Sequence, residues 1–316
     1  MRLIVTGCSG FIGFHCCNSL LNQGHEVIGI DNISDYYSTK LKNDRLTILN
    51  QFESFNFFKH DLKKTLQLEL KREVDVFIHL AAQPGVRLPL TEYYRYDLSN
   101  ILGFSNILNF ISNFEIKNLI FASSSSVYGG NTNPVFSETD SLDPKSYYAL
   151  TKLHNENTAK IFSLERNMNI VGLRFFTVYG PFGRPDMAYF SFLESLYKNE
   201  DINLFNNGLM FRDMTYITDI IDGIMRTIEF MRSNDNIFEI FNLGNDTPIQ
   251  TIELLNKLEN LSGSKAKIIN LDSSGEVKHT HADLSKSRKL LGYDPKVDLN
   301  QGLYEFHEWY KSYFVK

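Results

Sequence analysis

A chain of 316 residues with 43 % apolar side chains is long enough for roughly two domains, each with its own core. The net charge is −5, from 32 basic and 37 acidic residues, and no basic run or basic-aromatic stripe stands out, which argues against a nucleic-acid partner. No apolar stretch approaches about 18 residues and no charged-then-apolar leader precedes the first strand, so neither a membrane span nor a signal peptide is expected.

The cysteines are Cys8, Cys16 and Cys17, none at metal-ligand spacing from a histidine. They read as reduced packing residues of an intracellular protein, with no metal site. Leu3-Ile4-Val5-Thr6 predicts a strand that ends at the glycines Gly7, Gly10 and Gly13, and a helical pattern follows to about Gln23. A strand, a glycine-rich turn and a helix start place backbone N–H groups and the positive helix end against a pyrophosphate. The spacing is not the G-x-G-x-x-G of the dehydrogenase fingerprint, and a tight turn alone would also explain it.

The next strand is Glu26-Val27-Ile28-Gly29-Ile30, with Asp31 at its end. A carboxylate there accepts from adenosine ribose hydroxyls and repels a 2′-phosphate, favouring NAD over NADP; a turn or cap role is the plainer alternative. Asn56 to Lys59 precedes Asp61-Leu62, and Val74 to Leu80 leads into Ala81-Ala82. Leu119 to Ala122 leads into four serines, and Ile170 to Phe175 makes a sixth strand. Helical patterns lie between, notably Leu98 to Phe110 and Tyr147 to Leu164. Apolar strands alternating with helices predict an α/β fold: a doubly wound parallel-sheet (Rossmann) domain that binds ligand at the carboxyl ends of its strands.

Ser123-Ser124-Ser125-Ser126 would be aimed at that crevice, although Ser and Gly also favour a plain polar loop. Tyr148 and Lys152 follow, four apart on one helical face. A neighbouring ammonium lowers a phenol's pKa from about 10, so the pair offers a base for an alcohol hydroxyl. The same spacing at Tyr36 and Lys40 carries no evident chemistry, so spacing alone does not decide. In the glycine- and proline-rich loop after the sixth strand, Arg184 is either a surface arginine or an anion ligand; Arg212 is a second candidate. Phe238 to Gly244 predicts a further strand returning to the first sheet. Residues from about Asp246 to the end read as mixed helix and loop that help close a smaller domain. The expected division is 1–175 plus about 211–245 for the dinucleotide domain, and about 176–210 plus 246–316 for a smaller mixed α/β substrate domain.

With these residues together, the chain resembles the extended short-chain dehydrogenase/reductase family, specifically its NAD-dependent nucleotide-sugar 4-epimerases. The glycines 7, 10 and 13, Asp31, Asp61-Leu62, the serine run and Tyr148…Lys152 carry the likeness. The stretches Gly10 to Leu46, Ala81-Ala82-Gln83 with Gly85-Val86-Arg87, Asn100 with Gly103, Leu173 to Met187 and Arg212 to Ile217 are similar to UDP-glucuronate 4-epimerases in particular. The last 70 or so residues match less clearly, and Gly275-Glu276-Val277 stands where relatives carry Gly-Asp-Val.

The resemblance implies tightly held NAD, contacted by Gly7, Gly10, Phe11, Ile12, Gly13, Asp31, Asn32, Asp61, Leu62, Leu80, Ala81, Ala82, Asn100, Ser123, Tyr148, Lys152 and Phe175. It implies a base, Tyr148, assisted by Lys152 and Ser124. It places Ser125, Ser126, Thr177 and Arg184 around a uronate carboxylate, and Arg87, Arg212 and Glu276 toward the nucleotide. It also implies a cytoplasmic homodimer using the helices that begin near Tyr93 and Tyr147. The expected reaction interconverts UDP-glucuronate and UDP-galacturonate through a 4-keto sugar. The alternatives are a UDP-glucuronate decarboxylase, an epimerase of N-acetylated UDP-hexosaminuronates or neutral UDP-hexoses, and a non-catalytic dinucleotide sensor. A 4,6-dehydratase would need an Asp-Glu pair where Ser125-Ser126 stand.

Overall fold

The alternation of buried strands and amphipathic helices predicts the architecture that a computed structural model shows for residues 1–272 and 277–315. Seven parallel strands form the central sheet: β1 (Arg2–Thr6), β2 (Glu26–Asp31), β3 (Phe55–Lys59), β4 (Val76–His79), β5 (Asn118–Ser124), β6 (Asn169–Phe175) and, later in the chain, Phe238–Leu243. Their spatial order, β3-β2-β1-β4-β5-β6 and then Phe238–Leu243, reverses direction between β1 and β4. The crevice at that reversal is where such sheets bind ligands. The expected return of Phe238 to Gly244 to this sheet is met, in parallel register with β6.

Both faces of the sheet are covered, so its central strands β1 and β4 are buried along nearly their whole length rather than alternately. Leu3 and Val5 of β1 face one core with Phe14, Cys17 and Leu20 of α1 (Phe11–Asn22). Ile4 faces the other, with Phe104, Ile107 and Ile111, which lie on a helix spanning Gly103–Asn113. All three cysteines are buried free thiols.

The remaining helices follow in chain order: α2 (Thr39–Leu49), α3 (Tyr94–Tyr96), α4 (Gly103–Asn113), α5 (Tyr147–Arg166), α6 (Ala188–Lys198), α7 (Ile217–Arg232), α8 (Thr251–Ser262), α9 (Ser285–Leu291) and α10 (Leu299–Phe314). A π-helical segment, Asp97–Leu102, joins α3 to α4. Such segments are rare and concentrate at functional sites.

A second lobe is built on β7 (Thr177–Tyr179), β8 (Asp201–Phe205), β9 (Phe211–Tyr216), β11 (Pro248–Gln250) and β12 (Lys267–Leu271), the strand Phe238–Leu243 of the large sheet being β10 in chain order. Strands β7, β9 and β11 form one small sheet, and β8 pairs with β12 in another. Two features differ from the sequence reading. The stretch from 246 onward holds two strands as well as helix and loop. Phe211–Tyr216, grouped by sequence with the dinucleotide domain, pairs with β7 and β11 instead.

Candidate active site

The crevice is a cavity of about 1200 Å³ running from the end of β1 to β8 and β9. At one end lies the turn of Gly7, Gly10 and Gly13. Gly7 has φ +72°, and a Cβ there would lie 2.8 Å from the Ala81 nitrogen; a Cβ on Gly13 would come within 2.0 Å of the Gly7 carbonyl oxygen. Only glycine lets β1, the start of α1 and the end of β4 approach this closely. Helix α1 begins at Phe11, behind Gly10 at the cap position, with no side-chain cap and no acidic residue in its first turn. Its first N–H groups and positive dipole end therefore remain available to an anion.

Asp31 braces this turn. Its carboxylate accepts from the Ser9 N–H at 3.1 Å and the Ile33 N–H at 2.7 Å. A carboxylate has about four acceptor positions, so it can also meet ribose hydroxyls across the cavity that it lines.

In the middle of the cavity, Ser146 caps α5 by accepting from the Ala149 N–H at 3.2 Å, which sets Tyr148 on the first turn. Lys152 lies one turn on, its Nζ 5.8 Å from the centre of the Tyr148 ring. That Nζ donates to the Ala122 carbonyl at the end of β5 at 2.9 Å. The Ser124 hydroxyl donates to Ser126 Oγ at 3.0 Å and accepts from the Ser126 N–H at 3.2 Å.

The expected lowering of the Tyr148 phenol by Lys152 is not met. Burial pushes the phenol's pKa up, and the groups that pull it back are the Arg184 charge and a hydrogen bond with Ser124. The Lys152 ammonium is turned toward Ala122, and burial lowers its own pKa to about 8 despite the favourable charge of Glu156.

Arg184 is the cation over this centre. It forks onto Asp186, Nε to Oδ1 at 3.0 Å and Nη2 to Oδ2 at 2.5 Å. Tyr36 donates to the same carboxylate at 3.3 Å. Tyr36 therefore does belong to the cavity wall, with its pKa pushed up to about 12 first by burial and then by Asp186. At the far end, the Arg87 guanidinium stacks 4.4 Å over the Phe205 ring. Arg212 donates to the carbonyls of Phe211 and Val277, and burial first, then the Arg87 charge, lowers its pKa to about 10.

The sequence profile of the NAD dependent epimerase/dehydratase family matches residues 3–244. The chain belongs to that family. It is 39% identical to UDP-glucuronate 4-epimerase 3 of Arabidopsis thaliana, over 99% of this chain and 77% of that protein. It is 45% identical to an uncharacterized protein of Methanocaldococcus jannaschii, over 98% of this chain and 96% of that one. The crystal structure of UDP-glucuronic acid 4-epimerase from Bacillus cereus in complex with UDP-glucuronic acid and NAD superposes with a TM-score of 0.91 at 34% identity, covering 99% of this chain and 100% of that one.

As a member of the NAD-dependent epimerase/dehydratase family, the chain has a cradle that fits its cofactor. The uncapped helix start suits the pyrophosphate, Asp31 suits the ribose, and Asn32, Asp61, Leu62, Leu80, Ala81, Ala82, Ser123 and Phe175 line the same channel. Phe11 and Ile12 also line it, as do Ser125 and Thr177 nearer the centre.

One expected contact does not line the cavity, and one lies outside the described residues. Asn100 does not line the cavity. It is buried in the π-helical segment, where its amide accepts from the Gln83 N–H and donates to Gln83 O and Thr151 Oγ1. Its role in the structure is to tie the segment after β4 to α5. Glu276 lies outside the described residues.

Sequence reasoning also missed a buried network behind α5. Glu156 on α5 accepts from Arg174 on β6 through two bonds, at 2.9 and 2.7 Å, and from Ser123 at 2.5 Å. Arg174 continues to Tyr128, and Tyr128 to Asn242. The helical spacing Tyr148-Lys152-Glu156 was the available signal.

Proposed function

We propose that this protein interconverts UDP-glucuronate and UDP-galacturonate by inverting C4. The observation that carries the reading is the position of Arg184, a guanidinium close enough to Tyr148 to shift its phenol, in a cavity that the hydroxyls of Ser125, Ser126 and Thr177 also line. A uronate brings a carboxylate that can take the guanidinium from Asp186, which a neutral hexose cannot. The relatives that act on UDP-glucuronic acid support the same substrate.

Tyr148 takes the proton from the C4 hydroxyl onto its phenolate oxygen, with Ser124 holding that hydroxyl and relaying the proton. Bound NAD supplies the reversible removal of hydride from C4. Lys152, anchored on Ala122, keeps a positive charge beneath the centre. Arg87 and Arg212 take the diphosphate end. The oxidised sugar is a β-keto acid, which loses CO2 when its C5–C6 bond aligns with the ketone π system. Arg184, Ser125, Ser126 and Thr177 hold the carboxylate out of that alignment.

The test is a comparison of UDP-glucuronate with UDP-glucose on the native enzyme and on Arg184→Ala. The reading expects uronate turnover to dominate, and the variant to bind uronate more weakly and release more UDP-pentose. Unchanged kinetics in the variant would remove Arg184 from the account. A UDP-pentose as the main native product would make the protein a UDP-glucuronate decarboxylase.

The same reading makes the protein a cytoplasmic homodimer. Support for the dimer comes from α5, where Leu150, Ile161 and Leu164 are exposed along the face opposite Lys152, with Leu102 exposed at the end of the π-helical segment. Among the described residues, no helix is long and apolar enough to cross a membrane. Light scattering on the purified protein tests the dimer; a monomer mass would remove it.

A further inference from the structure

The loop that ends at Arg184 is held in an unusual way. Loop carbonyls normally turn to water. Here three successive ones, on Pro181, Phe182 and Gly183, are received by side chains from the dinucleotide lobe, the half-buried His15 and the fully buried Arg45. His15 Nε2 on α1 lies 2.9 Å from Pro181 O. Arg45 Nη2 on α2 donates to Phe182 O at 2.6 Å and to Gly183 O at 3.1 Å. The other arm of the same guanidinium, Nη1, donates to Ser9 O in the glycine-rich turn at 2.7 Å and to the Tyr37 hydroxyl at 2.7 Å.

We propose that His15 and Arg45 are positioning residues that lock the backbone of Arg184 to the glycine-rich turn, and that this lock suppresses decarboxylation of the keto-uronate. The inference rests on the function proposed above. Three observations support it beyond the bonds themselves. Arg45 is 0 % exposed, and its described hydrogen bonds all go to uncharged oxygens. Burying a guanidinium without a carboxylate is unfavourable, and an apolar side chain would fill the space at lower cost. What an apolar residue cannot do is span Ser9 O and Gly183 O with one rigid planar group.

Phe182, between the two anchored neighbours, has φ +55°, a left-handed conformation that non-glycine residues rarely adopt. It is held there by ring contacts at 5.0 Å to Phe14 and 5.0 Å to Trp309. Strain of this kind persists only where the surroundings over-determine it. His15 is uncharged at neutral pH, since burial lowers its pKa to about 4, so its Nε2–H serves as a neutral donor to Pro181.

The chemistry gives the lock a purpose. In the unwanted reaction the C5–C6 bond breaks and its electron pair moves into an enolate spanning C5, C4 and the C4 oxygen. CO2 leaves, C5 takes up a proton, and hydride return at C4 yields a UDP-pentose. The step needs only a rotation about C4–C5, a change of ring pucker, that stands the C5–C6 bond perpendicular to the plane of the ketone. A carboxylate whose arginine has shifted by about 1 Å can make that rotation, and displacements of this size change rates by about 100-fold.

The test measures the ratio of UDP-pentose to UDP-galacturonate formed from UDP-glucuronate. This ratio does not depend on how much enzyme is folded. Arg45→Lys keeps the charge but cannot bridge both loops, and the ratio is expected to rise about tenfold or more. His15→Leu is expected to raise it as well, while His15→Gln, which retains a donor, stays near native. Thermal melting and the NAD retained through gel filtration are read on the same samples. A lower melting temperature with an unchanged ratio in both Arg45→Lys and His15→Leu would overturn the inference and leave the two residues with a structural role. A native enzyme that makes no UDP-galacturonate would instead overturn the proposed function.

Discussion

Arg184 and Asp186, two residues apart in one loop, form a two-bond ion pair on the wall of the cavity that Tyr148 lines. Asp186 therefore competes with any carboxylate that a substrate brings, and it offsets the charge that lowers the Tyr148 phenol. Asp186→Asn should tighten uronate binding. For a partly exposed pair the effect is about 1 kcal/mol, a change of about fivefold in KM. The acid limb of kcat/KM should move to lower pH, because the uncompensated guanidinium favours the phenolate. Steady-state kinetics against pH read both effects, with UDP-glucose as the neutral control.

Tyr148→Phe removes the proposed base and should lower kcat by about 10²–10⁴-fold. Ser124→Ala should act more mildly and in a directional way. Ser124 pulls the phenol's pKa down, so its loss moves the acid limb to higher pH. A pH profile that keeps its limb in Ser124→Ala, with only a lower plateau, would place Ser124 in substrate holding and not in proton transfer.

The fold was legible because its signals are local. β1 and β2 are short apolar runs ending in Gly7 and Asp31, and each ends where the sequence pattern places it to within a residue. The small strands were not legible for physical reasons. β11 is three residues long, and β12 is exposed at nearly every position, so neither has a burial pattern to read. Tyr148 and Lys152 could be found from helical spacing, but the direction of the Tyr148 shift could not. That direction depends on burial and on where the Lys152 ammonium finds its acceptor. Asn100 fits the family layout, yet its side chain is tied to Gln83 and Thr151, contacts that join distant segments and leave no trace in spacing.

The pair of Glu156 and Arg174 is buried, with side chains 5% and 3% exposed. Glu156→Gln leaves an arginine without its counter-charge and should destabilise the fold by about 3–5 kcal/mol. It should also lower the Lys152 pKa further, since Glu156 is the group that raises it. Chemical denaturation measures the first effect. The second is read as a loss of activity that begins at lower pH on the alkaline side.

Two histidines, half-buried His15 and buried His79, contribute to the acid stability. Burial holds His15 to a pKa of about 4 and His79 to about 3, the latter with a smaller push from the Lys152 charge. Their unfolded values are about 6.5, so the unfolded chain binds protons that the native one does not. Stability should fall as pH drops below about 6.5. The two groups together contribute a slope of up to about 2.7 kcal/mol per pH unit, until His15 begins to titrate near its folded value. Denaturant midpoints between pH 7 and pH 4 for the native chain and for His79→Asn measure this, and the variant should show the shallower slope.

The most direct test of the central claim is to incubate the purified protein with UDP-glucuronate, add no NAD, and follow the sugar by proton NMR. The account predicts UDP-galacturonate, formed by cofactor that stays with the protein. Accumulation of a UDP-pentose, or an unchanged substrate from protein that carries NAD, would contradict it.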